Sequence, residues 1–150
     1  MNQTDLFPVR ITKAHLDSVA EIERLCFSEP WSARALELLL DETQAVGFVC
    51  ERDGTVQAYG GMLITPFDGQ ITNIAVHPNA RRQGLGGAIL LSLLEEAARR
   101  ALESVSLEVR ISNTAAIALY ERYGFTAVGK RKNFYRAPTE DALVMLKMLD

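Results

Sequence analysis

Histidine and cysteine are scarce. Two of each stand in 150 residues: His15 and His77, Cys26 and Cys50. A His-rich metal site cannot be built from two histidines, so no metal is expected. The cysteines form no Cys-x-x-Cys pair, and reduced thiols in a cytoplasmic protein are the simpler reading. No apolar run approaches the roughly 18 residues of a membrane span. The start, Met1-Asn2-Gln3-Thr4-Asp5, has neither the basic region nor the apolar core of a secretion signal. Charge of one sign is not in excess either. The net charge is −3, which argues against a general nucleic-acid binder. No internal repeat, low-complexity tract or linker interrupts the chain. What is present is ordinary for a globular protein: 48% hydrophobic and 23% charged residues, in a length that suits a single domain, 1–150, with a real core.

One stretch organises the rest. Ile74-Ala75-Val76-His77-Pro78-Asn79-Ala80-Arg81-Arg82-Gln83-Gly84-Leu85-Gly86-Gly87 reads as the end of an apolar strand, a basic glycine-rich turn and the start of a long helix. Such a turn offers backbone N–H groups at a helix N-terminus, a site for an anion such as a pyrophosphate. Arg81 and Arg82 add charge, and Gly84 and Gly86 permit close approach. A Walker loop requires Gly-Lys-Ser/Thr, which is missing. A dinucleotide fingerprint requires a third glycine at position 89, where the chain has Ile. Arg81-x-x-Gly84-x-Gly86 remains, with a plain helix-capping turn as the alternative.

The remaining pattern is a mixed α/β sandwich. Phe7 to Ile11 reads as a strand. Thr12 caps a helix from Lys13 to about Phe27, with an apolar stripe at Leu16, Val19, Ile22 and Leu25. Ser32 caps a second helix, Ala33 to about Leu40. Ala45–Glu51 and Thr55–Pro66 flank Asp53-Gly54, a hairpin signal. Asp68-Gly69 reads as a second turn, into a strand from Gln70 to Val76. The long helix, Gly84 to about Leu102, presents Leu90, Leu91, Leu94, Ala97, Ala98 and Ala101 as its packed face. Ser106–Arg110 is a strand reached by a right-handed parallel crossover. Asn113 or Ser112 caps a fourth helix running to about Tyr123, stopped by Gly124. Phe125–Tyr135 and Asp141–Leu149 close the sheet as an antiparallel pair. The total is about seven strands and four helices.

Two residues near the crossover could carry chemistry. Strand alternation puts Leu107 and Val109 on one face and Glu108 and Arg110 on the other. A carboxylate on a central strand is costly unless paired or used. Glu108 therefore reads either as half of a salt bridge with an arginine or as a general base of raised pKa. Tyr120 lies seven residues after Asn113, nearly two turns, so both project from one side of their helix. It reads as a proton donor or as a core tyrosine. Both cysteines are placed outside this site, and no covalent cysteine step is required.

Taken together, Asn73-Ile74-Ala75-Val76, Arg82-Gln83-Gly84-Leu85-Gly86, Leu107-Glu108-Val109-Arg110, Ser112-Asn113 and Ala115 to Glu121 resemble the GCN5-related N-acetyltransferase (GNAT) family. Pro30-Trp31-Ser32, Asn133-Phe134-Tyr135 and Glu140 to Leu143 extend the likeness over nearly the whole chain. The branch resembled is the RimI type, which acetylates the N-terminal alanine of bacterial ribosomal proteins. The resemblance implies the seven-stranded acyl-CoA N-acyltransferase fold and acetyl-CoA as cosubstrate. It implies that Ile74, Ala75 and Val76 offer backbone groups to the acetyl and pantetheine portion. Arg81, Arg82, Gln83, Gly84, Leu85, Gly86 and Gly87 would hold the pyrophosphate, and Asn113 the cofactor arm. Glu108 would accept a proton and Tyr120 donate one. Trp31, Asn73 and Tyr135 would line the groove for the N-terminal peptide of a ribosomal protein. Phe134 stands where many relatives have Tyr, and the loop Arg136-Ala137-Pro138-Thr139 is shorter than in some. A monomer that contacts neither nucleic acid nor membrane completes the expectation. An acetyltransferase for lysine side chains or a small amine, and a CoA-binding module without turnover, are the alternatives.

Overall fold

The computed structural model describes residues 7–149; the segment Met1–Asp5 lies outside them. One sheet of seven strands has the order β1-β2-β3-β4-β5-β7-β6. The strands are β1 (Val9–Arg10), β2 (Ala45–Arg52), β3 (Thr55–Ile64), β4 (Asp68–Val76), β5 (Ser104–Arg110), β6 (Thr126–Tyr135) and β7 (Glu140–Met148). The α-helices are α1 (Leu16–Cys26), α2 (Ala33–Leu36), α3 (Leu85–Arg99) and α4 (Thr114–Arg122). Helices cover both faces, as the sandwich expectation required. On one face Ile89, Leu90 and Leu93 of α3 pack on Val46, Met62, Leu107 and Met145. On the other, Val19 and Ile22 of α1 and Leu36 of α2 pack on Val49, Tyr59 and Ala75. Full burial of one such side chain contributes about 1.5–3 kcal/mol.

Strands β2 to β4 form an antiparallel meander. Asp53 and Gly54 turn the first hairpin with φ of +52° and +80°, the left-handed pair that matches strand twist. The second turn lies earlier than Asp68-Gly69. Both residues are inside β4, and the reversal falls at Thr65–Asp68, where Thr65 N–H donates to the Asp68 carbonyl at 2.9 Å. Gly69 is small for another reason: a Cβ there would stand 2.7 Å from Met62 Sδ.

Two apolar faces also differ from the pattern read above. Leu25 is 52% exposed. A strict three-residue repeat drifts about 60° per step around a helix of 3.6 residues per turn, so the fourth member leaves the face. The buried set of α1 is Leu16, Val19, Ala20, Ile22 and Glu23. On α3, Leu91 is 46% exposed and Ala98 and Ala101 face solvent, while Ile89 and Leu93 take the interior places.

The site is created where β4 and β5 part. They pair in parallel only from Asp68↔Ser104 to Ile71↔Leu107. Beyond that, β4 stays with β3 to Val76, and β5 stays with β7 to Arg110. A bulge places Thr72 opposite no partner between Gly61 and Met62, and bulges bend the strand that carries them. His77 N–H donates to Gln57 of β3 at 2.8 Å. Ladder alternation then turns the N–H groups of Ile74 and Val76 away from β3, into the gap.

Candidate active site

A cavity of about 700 Å³ opens at this splay and draws residues from both faces of the sheet. Trp31, Asn73, Ile74, Glu108, Asn113, Tyr120 and Tyr135, all singled out in the sequence, line it together. Ala75, Val76 and the loop Arg81–Gly87 do not. The Ala75 side chain is buried in the core under α1. Val76 joins the two regions. Its carbonyl accepts from Arg81 Nε at 3.4 Å, and its Cγ2 stands 3.7 Å from where a Gly86 Cβ would be.

Glu108 pairs in register with Val144 and lines the cavity from the face of the sheet opposite the buried Leu107 and Val109 side chains. Oε2 meets Arg131 Nη1 at 3.0 Å, and Oε1 accepts from Gln70 Nε2 at 3.0 Å. The salt bridge weighed as an alternative is therefore present, with an arginine of β6. Arg131 is 59% exposed, so the pair is worth about 1 kcal/mol at most. It leaves the carboxylate on the cavity wall.

Tyr120 comes from α4 on the opposite face. Asn113 caps that helix, its Oδ1 accepting from Ala116 N–H at 3.2 Å. The seven-residue spacing brings Asn113 and Tyr120 to the same cavity. Tyr120 is 7% exposed and meets Phe125 edge-on at 5.8 Å between ring centroids. Burial, and then the neighbouring Tyr135, push its phenol up to about 12. It stays protonated across the working range of an enzyme.

The glycine loop has the features of an anion cradle. Gly84 adopts φ +75°, with nothing within 4 Å of a would-be Cβ. It starts α3 without a side-chain cap, leaving the first-turn N–H groups at 85–87 available. Gln83 Oε1 is buried and has no hydrogen-bond partner among the described residues, an acceptor waiting for a donor. These residues fit a CoA pyrophosphate and its polar arm. Gly86→Val is expected to weaken acetyl-CoA binding tenfold or more, at least about 1.4 kcal/mol. A Cβ at 86 meets its neighbours at an ordinary 3.7 Å, so the fold should survive. Calorimetry with acetyl-CoA measures it; unchanged affinity in the folded variant contradicts the cradle.

Three residues of this region were missed or misplaced by sequence reasoning. Cys26 lines the cavity, against the expectation that both cysteines lie outside the site. The end of α1 packs on the end of β4, and the thiol donates to the Val76 carbonyl at 3.5 Å. Cys50 is a core residue whose thiol burial pushes up to about 11. Arg110 ties the cavity rim together. It donates to the Arg136 and Pro138 carbonyls at 2.8 and 2.9 Å, to Ser28 Oγ at 3.1 Å, and lies 4.6 Å from the Tyr135 ring centroid. Glu23 is fully buried at the cavity wall. Burial raises its carboxyl above the ordinary value, against hydrogen bonds from Tyr59, Trp31 N–H and Asn73. Its position was legible: it follows Leu16 by seven residues and Val19 by four, on the inward face of α1.

A splayed parallel strand pair, a glycine-rich turn at the following helix and two titratable groups across the gap are the features expected of an acyl-CoA transferase. The family model for the acetyltransferase (GNAT) family matches residues 16–125, and the chain belongs to that family. By kind it is an acetyl-CoA-dependent N-acetyltransferase. A Bacillus subtilis (strain 168) protein is 40% identical over 131 residues, 87% of each chain. The [ribosomal protein bS18]-alanine N-acetyltransferase of Escherichia coli (strain K12) is 37% identical over 134 residues, 87% of this chain and 88% of that one. The crystal structure of the ribosomal-protein-S18-alanine N-acetyltransferase from Escherichia coli superposes with a TM-score of 0.87 at 32% identity, covering 95% of this chain and 93% of that one.

Proposed function

We propose that the enzyme transfers the acetyl group of acetyl-CoA to the N-terminal α-amine of a ribosomal protein, an alanine, as the names of its relatives state for them. The observation that carries the mechanism is the shared cavity. Glu108 and Tyr120 approach it from opposite faces of the sheet, with Trp31 and Tyr135 on its walls. Acetyl-CoA supplies an acyl group already activated as a thioester. The gap-facing N–H of Val76 polarises the acyl carbonyl, in the manner of an oxyanion donor. Glu108, through a water, takes the proton from the incoming ammonium, and the freed amine forms the new N–C bond. Tyr120 gives its proton to the sulfur as the C–S bond breaks, and the second proton leaving the acylated nitrogen restores the Tyr120 hydroxyl.

Amine basicity supports an N-terminus as acceptor. An α-amine titrates near 7.7–8.0 and a lysine near 10.4, so at pH 7.5 roughly a third of the former is neutral against about one in a thousand of the latter. One carboxylate held by Arg131 and Gln70 has little to do for the first and much for the second. Thiol release from acetyl-CoA, followed with and without an Ala-initiated peptide, tests turnover. Peptide-dependent release is expected. Binding of acetyl-CoA with no release under either condition would make the protein a binding module.

A further inference from the structure

Among the described carboxylates two are buried, and they are satisfied in opposite ways. Glu96 is surrounded by cations, with Arg10, Arg99 and Arg100 all in ion-pair contact. Glu23 has no cation in ion-pair contact among the described residues. It accepts instead from three neutral donors: the Tyr59 hydroxyl, Asn73 Nδ2 at 2.7 Å and Trp31 N–H at 2.8 Å. A buried carboxylate without a counter-charge is a costly arrangement, and here it stands in the wall of the active cavity. The three donors come from β3, β4 and the connection after α1, so one side chain joins the floor of the cavity to one of its walls.

The chemistry of the donors fixes an orientation. A carboxylate oxygen only accepts, so Asn73 must turn its amide nitrogen to Glu23. The same nitrogen also donates to the Tyr59 hydroxyl at 3.3 Å. The amide oxygen is left over. Asn73 is half-buried on the cavity, and its Oδ1 accepts from none of the described residues. An uncommitted acceptor on this wall suits an acceptor substrate whose end carries N–H donors: an amino group, and behind it the first peptide N–H.

Resting on the acetyl-transfer reading above, we propose that Glu23 is a positioning residue for the acceptor peptide: it locks Asn73 with the amide oxygen presented to the amino end and holds the Trp31 wall by its main-chain N–H. Glutamine at position 23 has one acceptor oxygen and one N–H₂ group. Glu23 takes Asn73 and Tyr59 on Oε1 and Trp31 N–H on Oε2, so the amide nitrogen of glutamine must face one side or the other: either Asn73 is released to reorient or the Trp31 wall loses its main-chain tie.

Steady-state kinetics on Glu23→Gln, Asn73→Ala and the double variant, varying peptide and acetyl-CoA separately, test the proposal. Each single variant is expected to lower kcat/KM for the peptide about tenfold or more, chiefly through KM, with the KM for acetyl-CoA within about twofold of the parent. The double variant should be no worse than the poorer single one, because both remove the same contact. Losses that multiply in the double variant, or fall equally on acetyl-CoA, would assign Glu23 to the fold alone. Should Glu23→Gln fold poorly, Asn73→Ala carries the decision, since it removes the presented oxygen directly. Unchanged peptide kinetics in that variant, with its melting temperature retained, overturns the proposal. Failure of the parent enzyme to acetylate any peptide with a free N-terminus would instead refute the acetyl-transfer reading.

Discussion

Glu108→Gln is expected to lower turnover at pH 7 by roughly 10²–10⁴-fold, the usual cost of losing a general base. The substitution keeps the size of the side chain and an oxygen that can accept from Gln70, but no group that can take a proton. It also breaks the ion pair with Arg131. That arginine is 59% exposed and can return to water, so the stability lost is about 1 kcal/mol at most. The two roles therefore separate cleanly. In either case the variant melts at most slightly lower; if the carboxylate is only half of a salt bridge it turns over normally, and if it is the base turnover collapses. The pH dependence adds a sign. Raising pH through the range of the α-amine, about 7.7–8.0, supplies acceptor already deprotonated. The variant should recover steeply over that interval, and a flat profile would remove the base role from Glu108.

Tyr120→Phe carries the second large effect. Removal of the hydroxyl should depress kcat while leaving the affinity for acetyl-CoA almost unchanged, since the proton matters most as charge builds on sulfur. Packing against Phe125 is retained by the phenyl ring. The competing core role forecasts the reverse, a shift in melting temperature with kcat preserved. The parent enzyme gives an independent check through pH. Burial pushes the Tyr120 phenol up to about 12, so its proton is present throughout the neutral and mildly alkaline range. The parent rate should rise as the amine deprotonates and show no loss from Tyr120 below about pH 10. Stability has the same direction: the raised value contributes fully below pH 10 and is lost as pH rises through 12. A kcat unchanged by Tyr120→Phe would leave the thiolate to take its proton from solvent.

The local rules of the chain were readable wherever the physics was local. Asp53-Gly54 needs left-handed backbone, Asn113 needs a helix to cap, and Gly84 sits where α3 begins. The alternation in Leu107-Glu108-Val109-Arg110 alone sets the carboxylate on the face away from the Leu107 and Val109 side chains. The relations that were not readable span long stretches of sequence. Glu23 falls on the inward face of α1 by its spacing from Val19, but nothing local says that Tyr59 and Asn73, 36 and 50 residues on, close over it. Arg110 reaches the 136–138 loop and Ser28 only because β7 returns beside β5. Cys26 reached the site for the same reason, through the docking of α1 on the end of β4. The turn placed at Asp68-Gly69 failed differently. Its glycine answers to Met62 on the neighbouring strand rather than to a backbone reversal.

Transfer of acetyl to an N-terminal α-amine is read by the position of the acetyl group on a peptide that offers both kinds of amine. A peptide that begins with alanine and carries an internal lysine is incubated with the enzyme and acetyl-CoA, beside an otherwise identical peptide whose N-terminus is blocked. Intact mass and fragment mapping then locate any acetyl group. One added acetyl is expected on the α-nitrogen of the free peptide and none on the blocked one. Equal acetylation of the lysine in both peptides, with the α-amine untouched, would contradict it.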